Sequence, residues 1–445
     1  MKVLLGPSHE LHVGVHGSLL ATPPDGVTYT QGRYVLRLRA QPDVARPFSP
    51  MHDPAIDEWV RFVDVADDVE VVHSSRLPVQ TALPWVVDAD SLLATLQVGR
   101  FFALGAASRG DPPLPSAQAV AGREAAMVAR YVSQRCTRIL FRTEYARRGF
   151  LDHLAAHAYD RSVIDVLAFK SDVVYPAVPS RTRNRAPGEP VEVLYSGRTS
   201  RDKGAATATD VFGRLRARHG EGVRLTFVGP CPDDLEQRLH TARAEVVPVL
   251  TRTDYLDRVD RADIFLSPTD YESVGMALIE AAAAGCAIVC SAGPGMEHVS
   301  ELLTDGEHAL FVSNAHREAR RTDEFTAAVS TLIGHPELRA RLSAANRIHT
   351  DRGRLSLRQR DARLLETYRH AASTGIDPAA GVMTSDDHDP DVLDWPEQIC
   401  HWSDQRAFAR IGGRVSITSG ATSGSGRAAS SVLHPVGHPG RLHGQ

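Results

Sequence analysis

The chain has 445 residues, 42% hydrophobic and 23% charged, with 50 Lys and Arg against 54 Asp and Glu for a net charge of −4. At about 150 residues per domain this supports two or three domains with their own cores, and the near-balanced charge gives no general field for nucleic acid. The opening "MKVLLGP" is too short for a signal peptide, no apolar run approaches the ~20 residues of a membrane span, and five scattered cysteines form no disulfide framework, so a cytoplasmic location is expected.

Along the chain, short β-branched runs alternate with longer alanine- and arginine-rich stretches, which predicts repeated βα units, parallel sheets and an α/β fold. Strands are predicted at "KVLLG" (from Lys2), "YVLRLRA" (Tyr34), "VEVVHS" (Val69), "PWVVD" (Pro84), "RILFRT" (Arg138) and "DVVYPAV" (Asp172). Helices are predicted at "DPAIDEWVRFV", with Asp53 as N-cap and Pro54 in the first turn, and at "SAQAVAGREAAMVARYVSQR" from Ser116. Pro179 to Pro190, dominated by proline, glycine and charge, has the composition of an interdomain linker. The rhythm restarts at "VEVLYSGR" and continues through "VRLTFVGP", "AEVVPV", "ADIFLSP", "CAIVCS" and "HALFV" to a helix near "EFTAAVSTLIG". Cys286 and Cys290 flank an apolar strand and are expected in its core, with no second close pair to complete a thiol metal site.

The expected organisation is an N-terminal Rossmann-like domain over residues 1–180 and a C-terminal one over 181–354, facing each other across a cleft. A helix at 355–374 follows, then a Gly-, Ser-, Asp- and His-rich tail at 375–445 expected to lack a core. Within it, "DWPEQICHWSDQRAFARI" carries two tryptophans and is a segment able to dock on the body.

Chemistry concentrates around "DYESVGMALIEAAAAG", Asp270 to Gly285. After the strand "ADIFLSP", a helix is expected to stop at Gly285 and to carry Val274, Gly275 and Met276 in its first turn. Unpaired amides at the positive end of a helix dipole suit a phosphate, and Gly275 allows close approach. Glu280, in an otherwise apolar pattern, needs solvent or a donor such as a ribose diol; Glu272 precedes the helix, where sugar hydroxyls would lie. Arg198, Arg201 and Lys203 cluster before a second helix starting near Gly204, the wrong end for cations unless an anion binds there.

These segments carry a resemblance. "SGRTSRDKG" resembles the "GR…KG" loop, "ADIFLSPTDYESVGMALIEAAAAGCAIVCS" the E-x7-E segment, and "ELLTDGEHALFV" the strand lead-in of retaining GT-B glycosyltransferases of the family-4 group (glycosyl transferases group 1). The resemblance implies a GT-B fold of two Rossmann-like domains and transfer of a sugar from a nucleotide-diphosphate sugar to an acceptor hydroxyl. Retention of anomeric configuration is implied too, with no metal or other cofactor. It implies that Gly197, Arg198 and Lys203 hold the donor diphosphate and that Glu272 with Ser273, Val274, Gly275 and Met276 contacts sugar and phosphate. Glu280 would take the ribose, and Arg198, Lys203 and Glu272 form the catalytic set. The helix "LRQRDARLLETYRHAA" resembles the family's return helix to the first domain. In that domain "GPSHELHVGVHGSLL" is similar to the Gly-rich loop after the first strand, so Gly14 and Gly17 would approach the diphosphate. "EVVHSSRLP" keeps His73 but has Ser75 where a second histidine is common, and Asp90 stands where another is often found. His16, His73 and Asp90 are the acceptor-side candidates, for a small-molecule, lipid or saccharide acceptor.

Competing signals are weaker. "DAD" at Asp88 to Asp90 is formally a metal-diphosphate motif, and "GPGMEH" lacks the third glycine of a dinucleotide fingerprint. The arginines of "RYVSQRCTRILFRTEYARRGF" are expected on a solvated helix surface, with peripheral membrane contact as the alternative. Two other functions fit the same architecture: a nucleotide-sugar epimerase, and a sugar-nucleotide-binding protein without turnover.

Overall fold

Continuous apolar runs buried on both faces are the mark of parallel strands, and here they build two parallel sheets. The computed structural model describes residues 1–40, 56–63, 65–90, 117–181, 188–197, 203–248, 250–376 and 392–398. The first half runs β1 (Lys2–Gly6), α1 (Val15–Ala21), β2 (Thr28–Thr30), β3 (Arg33–Ala40), β4 (Ile56–Val63), β5 (Val71–Ser74), β6 (Val79–Gln80), β7 (Trp85–Ala89), α2 (Ala117–Val132), β8 (Cys136–Phe141), α3 (Glu144–Ala156), α4 (Arg161–Lys170) and β9 (Ser171–Val173). Its main sheet has the order β2-β1-β5-β7-β8-β9, all parallel. Strand order reverses at β1 and β5, so the loop after β1 opens onto the crevice where such sheets bind ligands.

The second half runs β10 (Val191–Ser196), α5 (Ala205–His219), β11 (Val223–Val228), α6 (Asp233–Thr241), β12 (Glu245–Val247), α7 (Arg252–Arg261), β13 (Ile264–Ser267), α8 (Met276–Ala284), β14 (Ala287–Ala292), α9 (Val299–Leu302), β15 (Ala309–Ser313), α10 (Glu318–Gly334) and α11 (Pro336–Asp351), followed by α12 (Leu357–Ser373) and β16 (Val392–Gln398). Its sheet, β12-β11-β10-β13-β14-β15, is also all parallel and reverses at β10 and β13. Alanines 281–284 of α8 pack with Ile288, Cys286 and Cys290 in the core beneath that reversal. Helix α12 returns to the first half, where Leu364, Tyr368 and Ala371 pack with Val3, Val71 and Val86.

Two stretches depart from expectation. The helix predicted over "DPAIDEWVRFV" is instead strand β4 across Ile56–Val63; Asp53 and Pro54, its supposed cap, lie outside the described residues. Pairing decides this. Val60 and Phe62 share one face and sit opposite Leu36 and Tyr34 of antiparallel β3, all four in the core. Trp59 is buried on the other face beneath the Arg130 guanidinium, 3.8 Å from its ring. A period of two held by a cross-strand partner overrides a local capping signal. Within the tail, Val392–Gln398 pairs antiparallel with β3, Trp395 opposite Leu36, so part of the tryptophan-bearing segment joins the small sheet β16-β3-β4-β6. The remainder of that segment is outside the described residues.

Candidate active site

A cavity of about 480 Å3 lies where the carboxyl ends of the two sheets face each other. From the first half it is lined by His12, Val15 and Asp90. From the second it is lined by Ser196, Gly197, Lys203, Glu272 and the run Ser273–Leu278, with Tyr255 and Leu250 further round. The loops after β10 and β13 touch directly. Gly204 has φ 67°, and a Cβ there would stand 2.0 Å from the Pro268 carbonyl oxygen. That approach sets Lys203 Nζ 2.5 Å from Glu272 Oε2, with both side chains about a quarter exposed. Arg321 anchors the Glu272 loop through Asp270 and the Pro268 carbonyl, and Asn314 Nδ2 donates to the Thr269 and Asp270 carbonyls.

Helix α8 begins one to two residues later than the sequence suggests. Gly275 is its left-handed N-cap (φ 78°), so Val274 and Gly275 lie in the approach loop and the open first turn starts with Met276. Glu280 is 3% exposed and sits behind the cavity wall. Arg252 Nη2 donates to its Oε1 at 2.5 Å, and the Tyr255 hydroxyl hydrogen-bonds both Glu280 and Ser196. Burial, then the Glu280 charge, raises the Tyr255 phenol well above its usual range, so this hydroxyl keeps its proton.

Beneath the first-half wall lies a buried polar chain. Asp88 Oδ2 is 2.7 Å from His16 Nε2, its Oδ1 is 3.0 Å from His73 Nε2, and Arg142 also binds Oδ2. Burial alone would raise the Asp88 pKa, but Arg142, His73 and His16 outweigh it and hold the carboxyl below the usual carboxylate range. An ionised Asp88 fixes the proton positions. His16 donates from Nε2 and accepts the His12 amide at Nδ1 (2.6 Å); His73 donates from Nε2 and accepts at Nδ1 from the Tyr368 hydroxyl (2.6 Å), which the Tyr29 hydroxyl approaches at 2.9 Å. The chain runs from the return helix to the loop after β1, where His12 Nδ1 in turn accepts the Gly14 and Val15 amides.

The two halves also meet through Glu301 of α9. Its carboxylate accepts the amides of Glu144 and Tyr145, at 2.7 and 2.5 Å, at the N-terminus of α3. The preceding His298 is 1% exposed, and its Nε2 has no partner among the described residues. Burial lowers its pKa to about 4 despite the nearby Glu272 and Glu297 charges.

Of the residues singled out in sequence, the structure gathers Gly197, Lys203, Glu272, Ser273, Val274, Gly275, Met276 and Asp90 around one cavity. Gly14 caps α1 with its Cα turned toward Glu280, and Gly17 lies within that helix. Arg198 and Arg201 fall outside the described residues. His16 and His73 do not line the cavity; they are buried, 3% and 0% exposed, and brace its floor through Asp88. That engagement occupies both oxygens of the first "DAD" carboxylate. Arg142 also turns inward, so the arginine-rich run, which passes from α2 through β8 into α3, presents no single face. His12, Arg252, Tyr255 and His298 were not singled out as donor-site residues. The first sits in a loop, and the others carry no motif that marks them.

The architecture is GT-B: two Rossmann-like α/β units with their carboxyl ends across a cleft. Residues 190–335 match the family model described as Glycosyl transferases group 1. Glycogen synthase of Mycobacterium tuberculosis (strain CDC 1551 / Oshkosh) is 32% identical over 164 residues, 36% of this chain and 37% of that protein; the match thus spans about a third of the relative's length. Among solved structures, Anabaena HepE in complex with UDP and glucose aligns over 83% of this chain and 99% of its own with TM-score 0.51 and 13% identity. Sucrose-phosphate synthase from Thermosynechococcus elongatus aligns over 84% and 99% with TM-score 0.52 and 13% identity. At those identities the likeness concerns the fold. Among the described residues no helix is long and apolar enough to cross a membrane.

Proposed function

We propose that the protein is a glycosyltransferase that moves a sugar from a nucleotide-diphosphate sugar to an acceptor hydroxyl, with retention of configuration and without metal. The observation that carries this reading is the Lys203–Glu272 pair beside the open first turn of α8, in a cavity walled by both halves. The match of residues 190–335 to group 1 glycosyl transferases covers that side of the cleft. Lys203 and the first amides of α8 would take the diphosphate and stabilise the charge that grows on it as the glycosidic bond breaks. Glu272, already against Lys203, would exchange part of that contact for sugar hydroxyls. Glu280, held by Arg252 and the Tyr255 hydroxyl, would take the ribose. The acceptor, a small molecule, lipid or saccharide, would enter on the side of Asp90 and His12.

Acceptor-dependent release of the nucleotide tests the reading, with donors differing in base and sugar screened first by thermal shift; a hundredfold excess over Kd adds about 2.7 kcal/mol of stability. Conversion of donor without any acceptor would make the protein an epimerase, and binding without turnover a sugar-nucleotide-binding protein. Activity should survive a chelator. Full loss, restored by magnesium or manganese, would overturn metal independence. The anomeric proton coupling of the first-formed product decides retention.

A further inference from the structure

A second cavity, also about 480 Å3, shares no lining residue with the first and lies between α3, β9 and the first turns of α12. Its lining holds four guanidinium groups, Arg147, Arg354, Arg360 and Arg363, against two carboxylates, Glu144 and Asp172. Asp361 and Glu366 stand beside Arg360 and Arg363, so the cavity offers guanidinium N–H donors more than net charge. Arg360 is 5% exposed and fixed by bonds to Ser18 Oγ (2.7 Å), the Thr22 carbonyl (2.5 Å) and Asp361, so it forms a rigid wall.

The other three are partly engaged. Arg147 binds Glu144 Oε1 at 2.9 Å and the Ser171 carbonyl at 3.3 Å. Arg354 Nη1 donates to the Glu301 carbonyl at 2.5 Å while its guanidinium lies 5.3 Å over the Tyr175 ring. Arg363 Nη1 reaches Glu366 at 3.3 Å on the exposed side. A guanidinium carries five N–H donors, so each keeps donors beyond these bonds. Planar forks arriving from three separate elements match the tetrahedral oxygens of a phosphate better than any single side chain would.

We propose that this cavity binds a small phosphorylated ligand. Its phosphate oxygens would take the N–H donors left over on Arg147, Arg354 and Arg363, and its hydroxylated remainder would face Glu144, Asp172 and Gln359. The volume lies within the range of small-molecule sites and exceeds what a bare phosphate needs. The position gives occupancy a consequence. Tyr175 and Arg354 both line this cavity and both touch Glu301, at 3.4 and 2.5 Å, whose carboxylate joins the two halves at the start of α3. The site is independent of the donor cavity and of the function proposed for it.

Titration of the full chain with inorganic phosphate, followed by thermal shift against chloride at matched ionic strength, tests this with three proteins. Wild type and Lys203→Ala should both show a saturable rise in Tm. The double variant Arg147→Gln/Arg363→Gln should bind about tenfold more weakly or worse, having lost two charge-assisted contacts. Neither arginine belongs to the donor cavity, so phosphate-free turnover of the double variant should stay within about twofold of wild type. The proposal is overturned if wild type shows no saturable rise over chloride, or if Lys203→Ala alone abolishes it. It is equally overturned if the double variant binds phosphate like wild type.

Discussion

Replacing Gly14 by alanine probes whether the loop after β1 closes on the donor side of the cleft. A Cβ at this position would lie 3.1 Å from Glu280 Oε1, 3.1 Å from Met276 Cε and 3.3 Å from His12 Cε1. All three are inside ordinary van der Waals separation, and two belong to the opposite half. The backbone itself accepts the change: φ −76° and ψ −49° are helical, where Gly→Ala stabilises a fold by roughly 0.4–1 kcal/mol through the unfolded chain. Met276 can swing aside, but Glu280 is held by Arg252 at 2.5 Å, so the methyl must displace that pair or widen the cleft by a few tenths of an ångström. Overpacking of this kind costs about 1–3 kcal/mol, borne in the closed arrangement and not in the unfolding equilibrium. The expected result is a fall in kcat/KM of about five- to a hundredfold with Tm unchanged or slightly raised. Steady-state turnover and calorimetry on the same preparation decide it. Wild-type turnover in Gly14→Ala would mean that this loop does not press on Glu280 in the working protein, and a marked drop in Tm would make the glycine a requirement of the fold.

Glu280→Gln should weaken donor and free nucleotide alike by about ten- to a hundredfold, since a hydrogen bond to a charged group is worth roughly 1.5–3 kcal/mol. Glu272→Gln should lower kcat more than nucleotide affinity, and the reverse pattern in the two variants would exchange their roles. Ending the chain after residue 376 removes β16 and opens the β3 edge, so light scattering should detect more aggregation while turnover per folded molecule stays within a few-fold. For pH, His298 takes its proton near 6.5 when unfolded but near 4 when folded, so the unfolded chain binds more protons between those values and stability falls as pH drops. Denaturant melts at about pH 7 and about pH 5 should show wild type losing roughly 1–2 kcal/mol more than His298→Phe; equal losses would place His298 elsewhere.

The parallel sheets were legible because strands such as Lys2–Gly6 and Ala287–Ala292 bury unbroken apolar runs, Val3–Leu5 and Ala287–Cys290. The donor side was legible for a different reason: Lys203 stands at a helix start and Glu280 inside an apolar helix, and each conflicts with its local surroundings unless a partner is supplied. Where the partner is remote, the same kind of inference fails. Ile56–Val63 becomes a strand because of β3, and Val392–Gln398 is ordered by the same β3 from more than 350 residues away. Nothing in their own composition announces it. Helix α8 shows the finer limit, since a left-handed Gly275 shifts the first open amide to Met276, a matter of backbone geometry that residue type alone leaves undecided.

The histidines of the first half follow from this. The resemblance makes His16 and His73 acceptor-side candidates, yet their side chains turn to opposite oxygens of one buried carboxylate. Asp88 could be buried as an anion because Arg142 and two imidazole N–H groups meet it, and those same bonds engage both of its oxygens away from the cavity. The chemistry available to an acceptor on this wall therefore rests on the next carboxylate along, Asp90, which stays partly exposed with Arg142 Nε 3.6 Å away, and on His12, whose Nδ1 is taken by backbone amides and whose Nε2 is the ring nitrogen outside that capping interaction. Burying the first acid of "DAD" thus does two things at once. It ties the return helix, through Tyr368 and His73, to the loop that carries His12 and Gly14, and it leaves a single acid of that pair facing the cleft.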